Sequence, residues 1–171
     1  NILFPTLLPN GERTHFCYAA CINTTGKIFT EQTGCFSLPS SNGSTQLFAL
    51  YDYDSNFIHA KPIKTKSAGS ILTAYKKGLA VLIAAGLCPI LQRLDNEASN
   101  ILKHEHRSDE KINFQLIPPG VHHRNAAKHA IRKLKNHFIA GLCSINSNFS
   151  LHLWDKLLPQ ALLSLNLLLL G

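Results

Sequence analysis

The sequence predicts an α/β domain, a five-stranded sheet of mixed direction flanked by helices. Three observations carry this. Runs rich in β-formers, separated by turn residues, fill the region up to Lys64. An abrupt change to helical period follows at Ser67. Short apolar runs then alternate with amphipathic ones, giving the order β-β-β-α-β-α-β-α-α.

Residues 1–25 read as a leader or linker, since NILFPTLLPNGER carries two prolines and a glycine. THFCYAACI is an additional candidate strand within that stretch, and residues 26–171 form the domain proper. KIFTEQTGCF is the first clear strand, and SLPSSNGS supplies turn chemistry after it. TQLFALYDYD and FIHAKPIK are two more strands, separated by the turn Asp54-Ser55-Asn56. Strands so close in sequence favour an antiparallel meander. SAGSILTAYKKGLAVLIAAG then places Ile71, Leu72, Tyr75, Leu79, Leu82 and Ile83 at helical spacing, with Gly86 as its stop. PILQRLD is a buried strand ending at Asp95, EASNILKHEHR a short helix, and KINFQLIPPG a fifth strand closed by Pro118-Pro119-Gly120. Two helices follow, HHRNAAKHAIRKLKNHF and the leucine-rich LHLWDKLLPQALLSLNLLLL. Asp155, Lys156, Pro159 and Gln160 interrupt the latter, and what remains is too short to span a bilayer. It is expected to pack on the core, with no membrane as partner.

At 171 residues the chain can bury a sizeable core, and 45% hydrophobic with 16% charged residues excludes a disordered protein. The net charge of +7 is unevenly placed. Residues 1–110 hold ten Lys/Arg against nine Asp/Glu, whereas residues 111–171 hold seven against one. This asymmetry points to a polyanionic partner. Cys17, Cys21, Cys35, Cys88 and Cys143 form no CxxC pair, which argues against a zinc knuckle or a disulfide framework. They read as reduced, mostly buried thiols of an intracellular protein, nuclear or cytoplasmic and not secreted. The chain contains no Met and opens at Asn1 without a signal-peptide pattern, as a piece of something longer would.

Residues 122–138 carry five Lys/Arg, four His and no acid. On an ideal helix Arg124, Lys128, Arg132 and Lys135 fall within an arc of about 80°. Ala127, Ala130, Ile131, Leu134 and Phe138 fall within a separate arc of about 100°. The apolar stripe can lie on a sheet while the basic one faces solvent beside it. A solubilising face would mix signs in i,i+4 pairs, and this one does not. Nucleic-acid phosphates are the natural partner, with Arg124, Lys128, Arg132 and Lys135 as the binding residues.

Glu31 in IFTEQTG, Asp95 in QRLDNEAS and Lys128 in HHRNAAKHAI then line up. With YDYDSN, the PPG turn and the NAA…AIRKLKNHFIAGLCS helix, the sequence resembles the catalytic core of retroelement integrases, a retroviral and retrotransposon family of ribonuclease H-like fold. LHLWDKLLPQALLSLNLL resembles the helix that follows in retrotransposon polyproteins, so the resemblance spans Gly26 to Leu168. It implies a DNA partner, a homo-oligomer and a Mg²⁺- or Mn²⁺-dependent strand transferase or endonuclease. In that family Asp, Asp and Glu hold two metal ions that activate the attacking oxygen and stabilise the leaving one.

This chain departs at two of the three catalytic positions. Glu31 stands for the first Asp and is longer by one methylene, which octahedral Mg²⁺ tolerates poorly. Lys128 stands for the Glu, replacing a ligand by a cation. Glu31 and Asp95 remain as metal ligands, so the metal should be weakly held or lost. Glu97 caps the next helix more naturally than it reaches the site. Asp52 and Asp54 suit a turn. The adjacent His122 and His123 diverge at a helix start. The expectation is an integrase-like nucleic-acid-binding domain of a transposable-element polyprotein, a decayed copy or pseudoenzyme defective in DNA integration. The rival is a non-catalytic DNA- or RNA-binding or protein-interaction domain reused by a host, with the leucine-rich tail as its surface.

Overall fold

The computed structural model describes residues 25–94, 112–116 and 126–169. Its strands are β1 (Lys27–Gln32), β2 (Gln46–Asp52), β3 (Ile58–Ile63), β4 (Leu91–Leu94) and β5 (Asn113–Leu116). Helices α1 (Ala68–Ala84), α2 (Ala126–Cys143) and α3 (Trp154–Leu169) complete it, with a 3₁₀ turn at Leu151–Leu153 before α3. The sheet order is β3-β2-β1-β4-β5. β1, β2 and β3 form the expected antiparallel meander, and β4 and β5 add parallel to β1. β1, β2 and β3 are each shorter than the segment the sequence predicts. The candidate strand at 14–22, the helix at 97–107 and the Pro118-Pro119-Gly120 turn lie outside the described residues.

Pleating divides the sheet into two covered faces. Ile28, Phe48, Leu50 and Ile63 point to one side and pack on Ile71, Ala74, Tyr75 and Leu82 of α1. Leu47, Ala49, Ile58 and Ala60 point to the other and pack on α2 and α3. α1 begins where Ser67 accepts a hydrogen bond from the Ser70 amide. It stops at Gly86, whose φ is +79°. There Gly86 N donates to Ile83 O and Leu87 N to Leu82 O, a Schellman closure. Ile83, expected inside, is 58% exposed. It lies at the margin of the apolar arc, and the small residues Ala74 and Gly78 occupy the buried face instead.

The expected turn at 54–56 forms. Buried Asp52 accepts from Ser55 N at 2.9 Å and from Ser55 Oγ at 2.6 Å, and Asn56 takes a positive φ of 57°. Asp54 is held by the Gly26 amide. Both aspartates are therefore turn formers. The thiol reading needs correction, because Cys35, Cys88 and Cys143 are free but exposed. Cys35 and Cys88 sit on loops and Cys143 at a helix end, and Cys35 Sγ accepts from Gln46 Nε2 at 3.1 Å; Cys17 and Cys21 lie outside the described residues.

The leucine-rich segment packs as expected, burying Trp154, Leu158, Leu162 and Leu165. No helix among the described residues is long and apolar enough to cross a membrane. Trp154 stacks on Phe36 at 4.7 Å, meets Phe138 edge-on at 6.3 Å, and donates its Nε1–H to Leu38 O at 3.0 Å. One ring thereby ties α2, α3 and the loop after β1 together.

Candidate functional site

Glu31 is the second-last residue of β1 and directly faces Ala49 of β2. Cross-strand partners share a face, and Ala49 belongs to the core beneath α2 and α3. The half-buried Glu31 side chain is thus on the α2 side, near the carboxyl end of β1. Gln32 N donates to its Oε1 at 3.4 Å.

β4 lies parallel beside β1 with Phe29 facing Arg93. Two consequences of alternation follow. Gln92 turns toward the α1 side, is fully buried, and donates from Nε2 to Thr30 Oγ1 at 3.2 Å, bracing the two strands. Arg93 turns toward the α2 side, its guanidinium 5.6 Å from the Phe29 ring centre, and its Nε donates to Gln115 Oε1 at 3.2 Å. The chain leaves β1 toward β2 on one side, whereas β4 leads to β5 on the other. The carboxyl ends of β1 and β4 therefore form a topological switch point, where open α/β sheets bind their ligands.

α2 crosses this face and packs on β1 and β2. It buries Ala127, Ala130, Ile131, Leu134 and Phe138, the five residues of the predicted apolar stripe. Lys128 and Arg132 are exposed and Lys135, at the stripe's border, is half-buried. His137 Nε2 and Ser164 Oγ, 2.7 Å apart, link α2 to α3. Asp95 and Arg124 lie outside the described residues, as do His122 and His123.

Among the described residues, then, Glu31, Arg93 and α2 share one face at one end of the sheet. Sequence reasoning missed Arg93, although strand alternation through LQRL separates its side from that of Gln92. It also missed Gln92, which looked like an ordinary break in an apolar run.

The donors among the described residues do not fit a two-Mg²⁺ centre. Mg²⁺ takes oxygen ligands in strict geometry, and Lys128, which the resemblance implies at the third position, offers an ammonium with no lone pair. No group of three His, Cys, Asp or Glu that could hold a metal occurs among the described residues.

A five-stranded mixed sheet in this order, with helices on both faces, is the ribonuclease H-like fold of retroviral integrase catalytic cores. The HTLV-2 integrase catalytic core domain in complex with magnesium superposes with a TM-score of 0.61 at 15% identity, covering 82% of this chain and 84% of that one. The simian T-cell lymphotropic virus intasome, in complex with PP2A regulatory subunit B56 gamma, gives 0.63 at 17% identity over 82% of this chain and 48% of that one. The BIV integrase catalytic core gives 0.53 at 14% identity, covering 82% of both chains. No protein-family model and no curated protein matches the sequence. At these identities the likeness establishes the fold.

Proposed function

We propose that this chain is an integrase-like nucleic-acid-binding domain of a retroelement polyprotein that binds DNA through α2 and is defective in strand transfer. The observation that carries it is the position of Lys128 and Arg132, exposed on the helix that crosses the switch point where Glu31 stands. β1 and β4 run parallel as neighbours, with Lys27 facing Leu91 and Phe29 facing Arg93, which supports a site at their carboxyl ends. The fold is shared with a magnesium-bound HTLV-2 core and with an intasome protein, consistent with a DNA partner and an ancestral metal site. Glu31 and Asp95 alone leave that site short of a ligand, and Lys128 repels the cation. The affinity for DNA is then electrostatic and independent of metal.

The test is duplex binding across a salt series. Affinity should fall steeply with salt, show little sequence preference and be unchanged by EDTA. Replacing Arg124, Lys128, Arg132 and Lys135 together by alanine should lower the slope of log affinity against log salt by about 3–4. A folded quadruple variant with an unchanged slope would rule the reading out. A protein-interaction domain, the second reading, is favoured by exposed Leu163, Leu167 and Leu168 on α3 and predicts no DNA binding at all.

A further inference from the structure

The sheet face that carries Glu31 has a different character at its other end. Side chains alternate along a strand, so Lys27 and Phe29 of β1 share the side of Glu31. Phe29 faces Tyr51 of β2, and the ladder runs one step past β2, where Tyr53 N donates to Lys27 O at 2.9 Å. Tyr53 therefore stands on that same face, at the end of the sheet away from Glu31. Its ring centre lies 6.0 Å from that of Phe29 and 6.4 Å from that of Tyr51, and Phe29 and Tyr51 are themselves 6.4 Å apart. The three rings close a triangle. Phe29, 2% exposed, forms its floor, whereas Tyr53 is 52% exposed. A bond from the Tyr51 hydroxyl to Asn56 Oδ1 at 2.7 Å pins another corner. A ring that merely roofed the core would lie flat on Phe29; Tyr53 is tilted by 48° and meets solvent.

Two cations border these rings. Lys27 is opposite Tyr53, and Arg93 sits over Phe29. Arg93 uses its Nε on Gln115, so its terminal N–H groups remain for another acceptor. Neither Lys27 nor Arg93 is paired with an acid among the described residues. The acids on either side of Tyr53 are engaged by the turn. Asp52 is buried with Ser55, and Asp54 accepts from the Gly26 amide. The patch is thus aromatic, cationic and fixed on the sheet.

We propose that Tyr53, backed by Phe29 and Tyr51, is a stacking platform for an unpaired base of a single-stranded nucleic acid, with Lys27 and Arg93 taking the flanking phosphates. Bases in a duplex already stack on one another, whereas an unpaired base has a free π-face that an aromatic side chain can cover. An ammonium and a guanidinium beside the rings match the backbone charge next to that base. The platform uses no residue of α2, so it stands or falls apart from duplex binding by that helix.

Fluorescence anisotropy with a short labelled oligothymidylate, beside an abasic strand of equal charge, is the test. The original chain should hold the thymidylate strand more tightly than the abasic one. Tyr53→Leu keeps apolar bulk and removes the π-face. It should weaken thymidylate binding about tenfold and leave the abasic strand unaffected, whereas Tyr53→Phe should bind like the original. Lys27→Gln/Arg93→Gln should lower the salt slope for both strands by about 1.4. Trp154 fluorescence checks folding in every variant, and the comparison of the two strands on the original chain needs no variant at all. Equal affinity for the two strands, or thymidylate binding unaltered in Tyr53→Leu, overturns the platform. So does a chain that binds neither strand, even if it binds duplex through α2. Thymidylate binding that Tyr53→Leu weakens, in a chain that binds no duplex, keeps the platform and sinks the α2 reading.

Discussion

At the scale of one residue, Lys128 has the largest consequence for the proposed function. On the proposed reading a carboxylate there would complete a metal site, whereas an ammonium adds repulsion and contributes no ligand. At an effective dielectric near 20, unit charges about 4 Å apart interact by ~4 kcal/mol, and even a fraction of that between Lys128 and a divalent ion decides occupancy. Lys128→Glu removes the repulsion and supplies a ligand in the same step. It should raise Mg²⁺ affinity at least tenfold, about 1.4 kcal/mol, and by more than Glu31→Asp does alone. Calorimetric titration of the three proteins decides this. Equal affinities in the original chain and in Lys128→Glu would mean that residue 128 stands away from any metal, and the family's triad does not carry over to this chain.

Among the elements, β3 and α3 depend on each other. β3 is an edge strand, and an unpaired edge invites pairing with other chains. Asn166 of α3 closes it, because its Oδ1 accepts from Ile58 N and its Nδ2 donates to Ile58 O, both at 2.9 Å. The side-chain amide thus imitates one residue of a neighbouring strand. Pro62, further along, offers no N–H. Asn166→Ala removes both bonds and should cost about 1–3 kcal/mol. Urea unfolding followed through Trp154, the sole tryptophan, would measure the loss. An unchanged midpoint would show that water replaces Asn166 without penalty.

Over the whole molecule, the covered faces and the uncovered ones carry different information. α3 buries one side completely yet leaves Leu163, Leu167 and Leu168 between 55% and 70% exposed. Isolated exposed leucines are unremarkable, but three within two turns of one helix form a patch that association would cover. If copies of this chain associate, this patch is where we expect them to meet. Leu163→Lys/Leu167→Lys should shift sedimentation toward monomer while leaving unfolding within about 0.5 kcal/mol, since neither side chain is in the core. Sedimentation identical to that of the original chain would take association off this helix.

The sequence by itself determined what depends on local period. Strand against helix, the Asp54-Ser55-Asn56 turn, the Gly86 stop and the whole apolar stripe of α2 were legible, because side-chain direction repeats every two or 3.6 residues wherever the chain goes. The family resemblance supplied the five-stranded mixed sheet, in which β1 and β4 are parallel neighbours. Tertiary structure alone decided which margin of an amphipathic helix is covered, so Ile83 stays in solvent while Ala74 and Gly78 go inside. It also decided the polar closures: Gln92 with Thr30, and Asn166 with a strand 108 residues away. Each joins groups whose separation along the chain leaves no periodic trace. A polar residue in an apolar run reads as a break until its partner, brought by the fold, shows why burial there is tolerable.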